Sequence, residues 1–498
     1  RICEQEVARL EDPSPIQMGD DQCHLGDSLP SIGAVSSRDI PDARTRRIAC
    51  AGRALQGVEL AQVVAAALRF WELGAQSLWY DEWLTTEATS GSLAHLVDHV
   101  ANREGITPPY FVVMWGWVRL FGDGELALRS LSALVGVATI PVAYAVAREV
   151  GQRRAVARVA ALLVAVNPML VWYSQEARPY TLLAFLGGLS VLMFVRAERS
   201  GRRGDLMLWG LVSAVALAVH YFAGFLVAAE AVGLVLSRRY RWRELLLACL
   251  PGALVVAALA PIALEQHSHA PNRAWISEFA LSDRLEEAAQ SALVGPSPPV
   301  DRLWLVPLAV VVASVLLLLT RASRRDRVTA LRLAAIGGAG VALPLAAGLV
   351  GTDVFLSRYV VASAVPLVVA VSVGLAAARP AWVGVGGVAV ATLVSLGVVA
   401  AVAAEPGLQR SDWRAVADVA ASGSETSVLI VTVGGDQTSP LRHYVPGLDT
   451  LDGNQTVLVD QVDVLMGKSA DEPCNFLVGR ACAFVFLGAP LPEGHASA

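Results

Sequence analysis

ARVAALLVAVNPMLVWYSQEARPYTLLAFLGGLSVLMFVRAER, residues 157–199, holds two apolar runs, 157–173 and 180–195, with Arg158 near the start of the first and Arg196 and Arg199 at the end of the second. Only the short polar joint SQEARP separates them. Crossing ~30 Å of hydrocarbon takes ~20 apolar residues at ~1.5 Å per residue. Each run therefore reads as a membrane-spanning helix, and the joint as a turn at one face of the bilayer.

The pattern continues both ways along the chain. Further candidate spans lie near 126–147, 205–220, 222–236, 245–264, 303–320, 333–350, 359–378 and 381–403. A poorer one at 54–73 carries Glu59, Gln62 and Arg69, and the total is about eleven. Composition agrees. The 498 residues are 55% apolar and 17% charged, with a mean hydropathy of +0.52. An ordinary globular chain has ~45–50% and ~25%. A string of soluble domains, a disordered chain and a small disulfide scaffold are excluded. A net charge of -5 offers no basic field for nucleic acid.

Arginine gives the orientation, because cytoplasmic joints collect positive charge. Clusters at Arg148/Arg153/Arg154/Arg158, Arg196/Arg199/Arg202/Arg203, Arg238/Arg239/Arg241/Arg243 and Arg321/Arg324/Arg325/Arg327/Arg332 mark every second joint, and Arg44/Arg46/Arg47/Arg53 precede the first span. Residues 110–121, YFVVMWGWVRLF, are too short to cross at about 18 Å. Counting them as a span would put Arg148, Arg153 and Arg154 outside. They read instead as an aromatic helix at the outer interface, inside one large outer loop of residues 74–125.

Three regions result. Residues 1–48 show no periodicity and no signal-peptide pattern, and read as a disordered tail or a mis-called start. Residues 49–404 form the membrane domain. Residues 405–498 read as a small extracytoplasmic α/β domain, with a helix over 412–421 and strands at 428–433, 456–459 and 483–487. Cys474 and Cys482 lie there, so a disulfide is permitted, with two free thiols as the alternative.

Chemistry is sought among polar groups kept at the outer face, where burial in lipid makes them costly. Trp79-Tyr80-Asp81-Glu82-Trp83 places two adjacent acids at the end of the first span. Adjacent helical residues do not share a face, so the acids are expected to do different jobs. One suits a general base toward an acceptor hydroxyl; a solvated interface anchor is the plainer alternative. Ser92 is placed to cap an amphipathic helix with the stripe Leu93, Leu96, Val97 and Val100, roofing the acids. Outward arginines, Arg129, Arg178 and Arg358, would make a cationic patch suited to a lipid phosphate, or else single salt bridges. His267 and His269, two residues apart, could ligate a metal with a carboxylate, but solvated loop histidines are the plainer reading. No P-loop, dinucleotide fingerprint or structural zinc spacing is present in the sequence.

The ordered set WYDEW (79–83), TPPY (107–110), FGDGELALRS (121–130), NPMLVWYSQEARPYTLLAF (167–185), HYFAG (220–224) and FLSRYV (355–360) resembles the GT-C membrane glycosyltransferases over about residues 70–405. Within them it is similar to bacterial relatives of the protein O-mannosyltransferases and of the lipid A aminoarabinose transferase, glycosyltransferase family 39. The resemblance implies a mainly α, polytopic GT-C-like fold. It also implies inverting transfer of a sugar from a polyprenyl-phosphate-linked donor to a glycan, lipid or protein acceptor at the outer membrane face. Asp81 would be the base and Glu82 a supporting acid. Arg129, Arg178, Arg358 and Tyr359 would meet the donor phosphate. Tyr80, Pro108, Pro109, Tyr110, Tyr173, Glu176, Tyr180, His220 and Tyr221 would line the cavity. No resident cofactor is implied, and a divalent cation is left open. The alternatives are a lipid-linked sugar flippase or transporter, and a non-catalytic envelope assembly protein.

Overall fold

The computed structural model describes residues 58–104, 107–268, 279–349, 355–422, 429–432, 440–444, 464–465 and 483–486. The expectations on residues 1–48, on His269, on 456–459 and on Cys474 and Cys482 lie outside these residues, as does the His267 side chain. The chain divides into residues 1–59 and a compact unit of residues 60–498.

Helices account for nearly all of the described chain. They are α1 Glu59–Phe70, α2 Tyr80–Ser90, α3 Leu93–Arg103, α4 Pro108–Phe121, α5 Glu125–Glu149, α6 Arg154–Val166, α7 Pro168–Ser174, α8 Tyr180–Ser200 and α9 Arg203–Val219. There follow α10 Ala223–Ser237, α11 Trp242–Ser268, α12 Leu281–Val294, α13 Leu305–Arg321, α14 Arg324–Leu349, a 3-10 turn Ser357–Ser363, α15 Ala364–Ala376 and α16 Ala381–Ala404. Beyond the last long helix come α17 Trp413–Ser422, β1 Leu429–Thr432, α18 Leu441–Tyr444, β2 Val464–Leu465 and β3 Ala483–Phe486. Among the described residues the three strands pair antiparallel in the order β1-β3-β2, with Leu429 and Val464 both opposite Phe486.

Six helical stretches are long and apolar enough to cross a bilayer, and α6 with α7, bent by 54°, makes a seventh. The chain is a mainly helical, multi-pass membrane protein. α1, α9, α10 and α13 coincide with apolar runs but have only 12, 17, 15 and 17 residues. At ~1.5 Å per residue they reach about 18–26 Å, short of ~30 Å.

The polar first helix has a specific use. Pro168 offers no N–H, so the α6 ladder stops at Val166 and the Asn167 side chain caps α7 by accepting from the Leu170 amide at 3.0 Å. The freed carbonyls at the end of α6 need donors. Arg69 of α1, fully buried, donates to Ala165 O at 2.8 Å and Val164 O at 3.4 Å, and its Nε reaches Ser174 Oγ at 3.1 Å. Gly136 of α5 makes room for this cluster, since a Cβ there would sit 2.3 Å from Ser174 Oγ. Glu230 also lies inside the bundle, accepting from Trp209 Nε1 at 2.7 Å and Ser190 Oγ at 2.9 Å and so tying α8, α9 and α10 together.

The segment between α1 and α5 folds as a cap with its own core of Leu78, Ala88, Leu96, Val100, Tyr110, Phe111 and Met114. Ser92 caps α3 by accepting from the His95 amide at 3.2 Å. The buried stripe of α3 is Leu96, His99 and Val100. Leu93 and Val97 are exposed, which corrects the expected stripe by one helical face. α4 buries Tyr110, Phe111 and Met114 and exposes Val112, Val113, Leu120 and Phe121. Those exposed apolar residues suit a helix resting in an interface.

Candidate active site

α2 starts at Trp79, which makes no side-chain cap bond, so Asp81 and Glu82 sit in the first turn beside free amides that favour negative charge. At 3.6 residues per turn the two side chains diverge by ~100°. They enter different surroundings.

Glu82 is fully buried. Both of its oxygens face Arg129, at 2.8 Å from Nε and 2.6 Å from Nη2, and Oε1 also accepts from the Ala177 amide at 2.9 Å. Burial alone would raise this carboxyl; Arg129 outweighs it and holds the group below the ordinary range. Arg129 donates as well to the carbonyls of Leu73 at 3.2 Å, Gln76 at 2.7 Å and Ser77 at 2.8 Å. A guanidinium has five N–H donors, and all are engaged. Arg129 has no donor left for a phosphate, which corrects its expected place at the donor, and Glu82, expected as a supporting acid, spends both oxygens on Arg129 and the Ala177 amide.

Asp81 keeps 14% of its side chain exposed. Its Oδ2 accepts from Arg358 Nη1 at 2.7 Å, and the Tyr180 hydroxyl lies 3.2 Å from the same nitrogen. The Nε and Nη2 groups of Arg358 meet no protein acceptor among the described residues. Arg178 Nε lies 4.0 Å from Asp81 Oδ2, while its Nη atoms grip both oxygens of Glu104 at 2.7 and 2.9 Å and its Nη1 donates to the Asp81 carbonyl at 3.1 Å. Burial works against the Arg178 charge, but Glu104 and Asp81 raise its pKa well above the ordinary value. Arg178 is thus a bridge between the Asp81 turn and the end of α3.

An aromatic wall stands beside this pair. Tyr173 and Tyr180 are 5.1 Å apart, His220 and Tyr359 5.3 Å, and Phe222 stacks on Tyr359 at 3.7 Å. His220 Nδ1 accepts from the Phe222 amide at 3.2 Å. Tyr80 packs on Trp83 at 6.0 Å.

Other expected cavity residues are elsewhere. Tyr110 lies in the cap core, Pro108 and Pro109 occupy the first turn of α4, and Tyr221 donates to Gln266 Oε1 at 3.2 Å. Glu176 is buried against Arg410 at 3.0 Å, which corrects its placement as a lining residue. Sequence reasoning missed Glu104, Phe222, Arg410 and Tyr444. Phe222 sits inside the HYFAG motif; the others carry no local signal. Among the described residues no group of three or more His, Cys, Asp or Glu is set to hold a metal.

Glu176 supplies a pH prediction. Burial, only partly opposed by Arg410, pushes it up to about 7. A raised acid favours the protonated fold, so its stabilisation is full below the unfolded value near 4.5 and is lost as pH rises through about 7. The loss over that window is roughly 3 kcal/mol. Glu176→Gln is expected to flatten this part of the profile. Thermal unfolding of the purified protein at about pH 5 and about pH 8 checks it, and an unchanged slope counts against it.

Residues 106–264 match the family model described as dolichyl-phosphate-mannose-protein mannosyltransferase. The match contains Arg129, Arg178 and His220 and stops short of Asp81 and Arg358. It meets the resemblance drawn from the motif order. No curated protein sequence matches the chain. Among solved structures, the ArnT of Cupriavidus metallidurans bound to undecaprenyl phosphate is similar over 75% of this chain and 66% of its own, at 17% identity and TM-score 0.47. The AglB oligosaccharyltransferase of Archaeoglobus fulgidus, in complex with an inhibitory peptide and a dolichol-phosphate, is similar over 74% and 58%, at 13% identity and TM-score 0.41. The S. cerevisiae protein O-mannosyltransferase Pmt1-Pmt2 complex bound to the sugar donor is similar over 44% and 34%, at 17% identity and TM-score 0.33. The chain spans about two thirds of the length of ArnT and less of the other two.

Proposed function

We propose that this protein is an inverting glycosyltransferase that takes a sugar from a polyprenyl-phosphate carrier and delivers it to a hydroxyl of a cell-envelope acceptor at the outer membrane face. The observation that carries the reading is the Asp81–Arg358 pair. It sets a partly exposed carboxylate against a cation whose remaining donors meet no acceptor among the described residues, beside an aromatic wall. The family match over residues 106–264 supports the donor class.

In the proposed reaction Asp81 accepts the proton of the acceptor hydroxyl as its oxygen attacks the anomeric carbon. The bond from that carbon to the phosphate oxygen breaks on the opposite face, and the electron pair leaves with polyprenyl phosphate. Arg358, through its free Nε and Nη2, stabilises the leaving charge, and Arg178 adds positive potential behind it. Glu82 and Arg129 hold the α2 turn in place. No nucleotide site is needed, because the donor arrives by way of the bilayer.

The test is release of polyprenyl phosphate by the purified full-length chain, given polyprenyl-phosphate sugars and an envelope acceptor fraction. Arg358→Gln removes charge-assisted hydrogen bonds and is expected to raise the donor KM by roughly ten- to a hundredfold. No release by the wild type, or an unchanged donor KM in the variant, would overturn the reading.

A further inference from the structure

We propose that Tyr444, Arg414 and Arg410, which follow the last membrane helix, are positioning residues for Asp81; this rests on the reading of Asp81 as the base.

The reason begins with the backbone of residues 73–78. These residues precede α2, lie outside any helix or strand, and carry carbonyl and amide groups that must find partners. Arg129 takes the carbonyls of Leu73, Gln76 and Ser77. The rest is done from the far end of the chain. Arg414 donates to Ala75 O at 3.2 Å and Gly74 O at 3.5 Å. The Leu78 amide donates to the Tyr444 hydroxyl at 2.6 Å, and that hydroxyl donates on to Glu125 Oε1 at 2.8 Å. Arg414 closes the same unit at 2.5 Å from Glu125 Oε1. Ser77 Oγ donates to Ser411 O and accepts from the Trp413 amide, both at 2.9 Å, with Trp413 buried. Arg410 lies 4.2 Å over the Trp172 ring, and joins Glu176 at 3.0 Å to Gln76 Oε1 at 3.4 Å.

Local sequence does not set the direction in which α2 leaves this stretch, because Trp79 provides no side-chain cap. Leu78 stands three residues before Asp81, so its bond to Tyr444 fixes the backbone just ahead of the turn that carries the acid. A displacement of ~1 Å at a reacting group costs on the order of a hundredfold in rate. The post-membrane segment therefore acts on the chemical step without touching substrate.

The test uses Tyr444→Phe in the full chain, which removes one hydroxyl and leaves the Arg414–Glu125 pair. Amide exchange in peptides covering residues 73–84 is expected to rise about five- to tenfold, with peptides of α8 unchanged. In the transfer assay kcat falls by about tenfold while the donor KM is unchanged. Arg414→Gln, a second variant, is expected to give the same pattern. Unchanged exchange at 73–84, a rise spread over the whole chain, or raised exchange with an unchanged kcat would each overturn the proposal. If the wild type releases no polyprenyl phosphate, the transferase reading falls. The exchange at 73–84 then still decides whether this segment holds the loop.

Discussion

Asp81→Asn is expected to lower the turnover of sugar transfer by about a thousandfold or more, with the membrane fold intact. The substitution keeps the shape of the side chain and an oxygen able to accept from Arg358, but removes the carboxylate charge and with it the capacity to take a proton. General-base catalysis contributes ~10²–10⁴ to rate, and Asp81 is the carboxylate that Arg358 holds at 2.7 Å. Glu82 is closed off by Arg129, Glu104 by Arg178 and Glu176 by Arg410. The stability loss is expected to be smaller than that of breaking the Glu82–Arg129 pair, because Asp81 and Arg358 keep 14% and 23% of their side chains exposed where Glu82 and Arg129 keep 1% or less. The check is single-turnover transfer with saturating donor, beside a thermal unfolding curve. Transfer by the variant at the wild-type rate would remove Asp81 from the chemistry.

How much of this was legible depends on how local each signal is. Apolar runs are local, so helices appear over the stretches where they were read, and α4, with 14 residues, falls short of a span. The Ser92 cap is local too. That Asp81 and Glu82 would part company follows from helix geometry, but which of them faces inward does not. It depends on where Arg129 of α5 and the Ala177 amide come to rest. Arg129, Arg178 and Arg358 look alike in sequence, yet one is saturated by five acceptors, one is clasped by Glu104, and one keeps donors that meet no acceptor among the described residues. The Arg69 side chain made the first span look poor, because its reason is a break created by Pro168 nearly a hundred residues later. The clamp on residues 73–78 comes from Ser411, Arg414 and Tyr444, which no window on the chain joins to WYDEW. Pairings across three hundred residues carry no periodicity.

The neighbouring substitution Glu82→Gln is expected to act in the opposite way, on stability first. It neutralises one member of a pair in which both side chains are buried at about 1% exposure or less, and so leaves the Arg129 charge uncompensated. Removing one partner of a buried pair costs ~3–5 kcal/mol, a large share of what a membrane domain can lose before it fails to accumulate. Activity would fall with the amount of folded protein, and the molecules that remain folded would keep the wild-type turnover. Arg129→Met alone is expected to be as harmful, since Glu82 is then the orphan and the carbonyls of Leu73, Gln76 and Ser77 lose their donors. Combining Glu82→Gln with Arg129→Met removes the uncompensated charge but not the orphaned carbonyls. The double variant should therefore be more stable than the sum of the single losses allows, yet still below the wild type. Thermal unfolding of the four proteins gives the coupling energy directly. Additive losses would mean that Glu82 and Arg129 do not act as one unit, and that the α2 turn is held by other contacts.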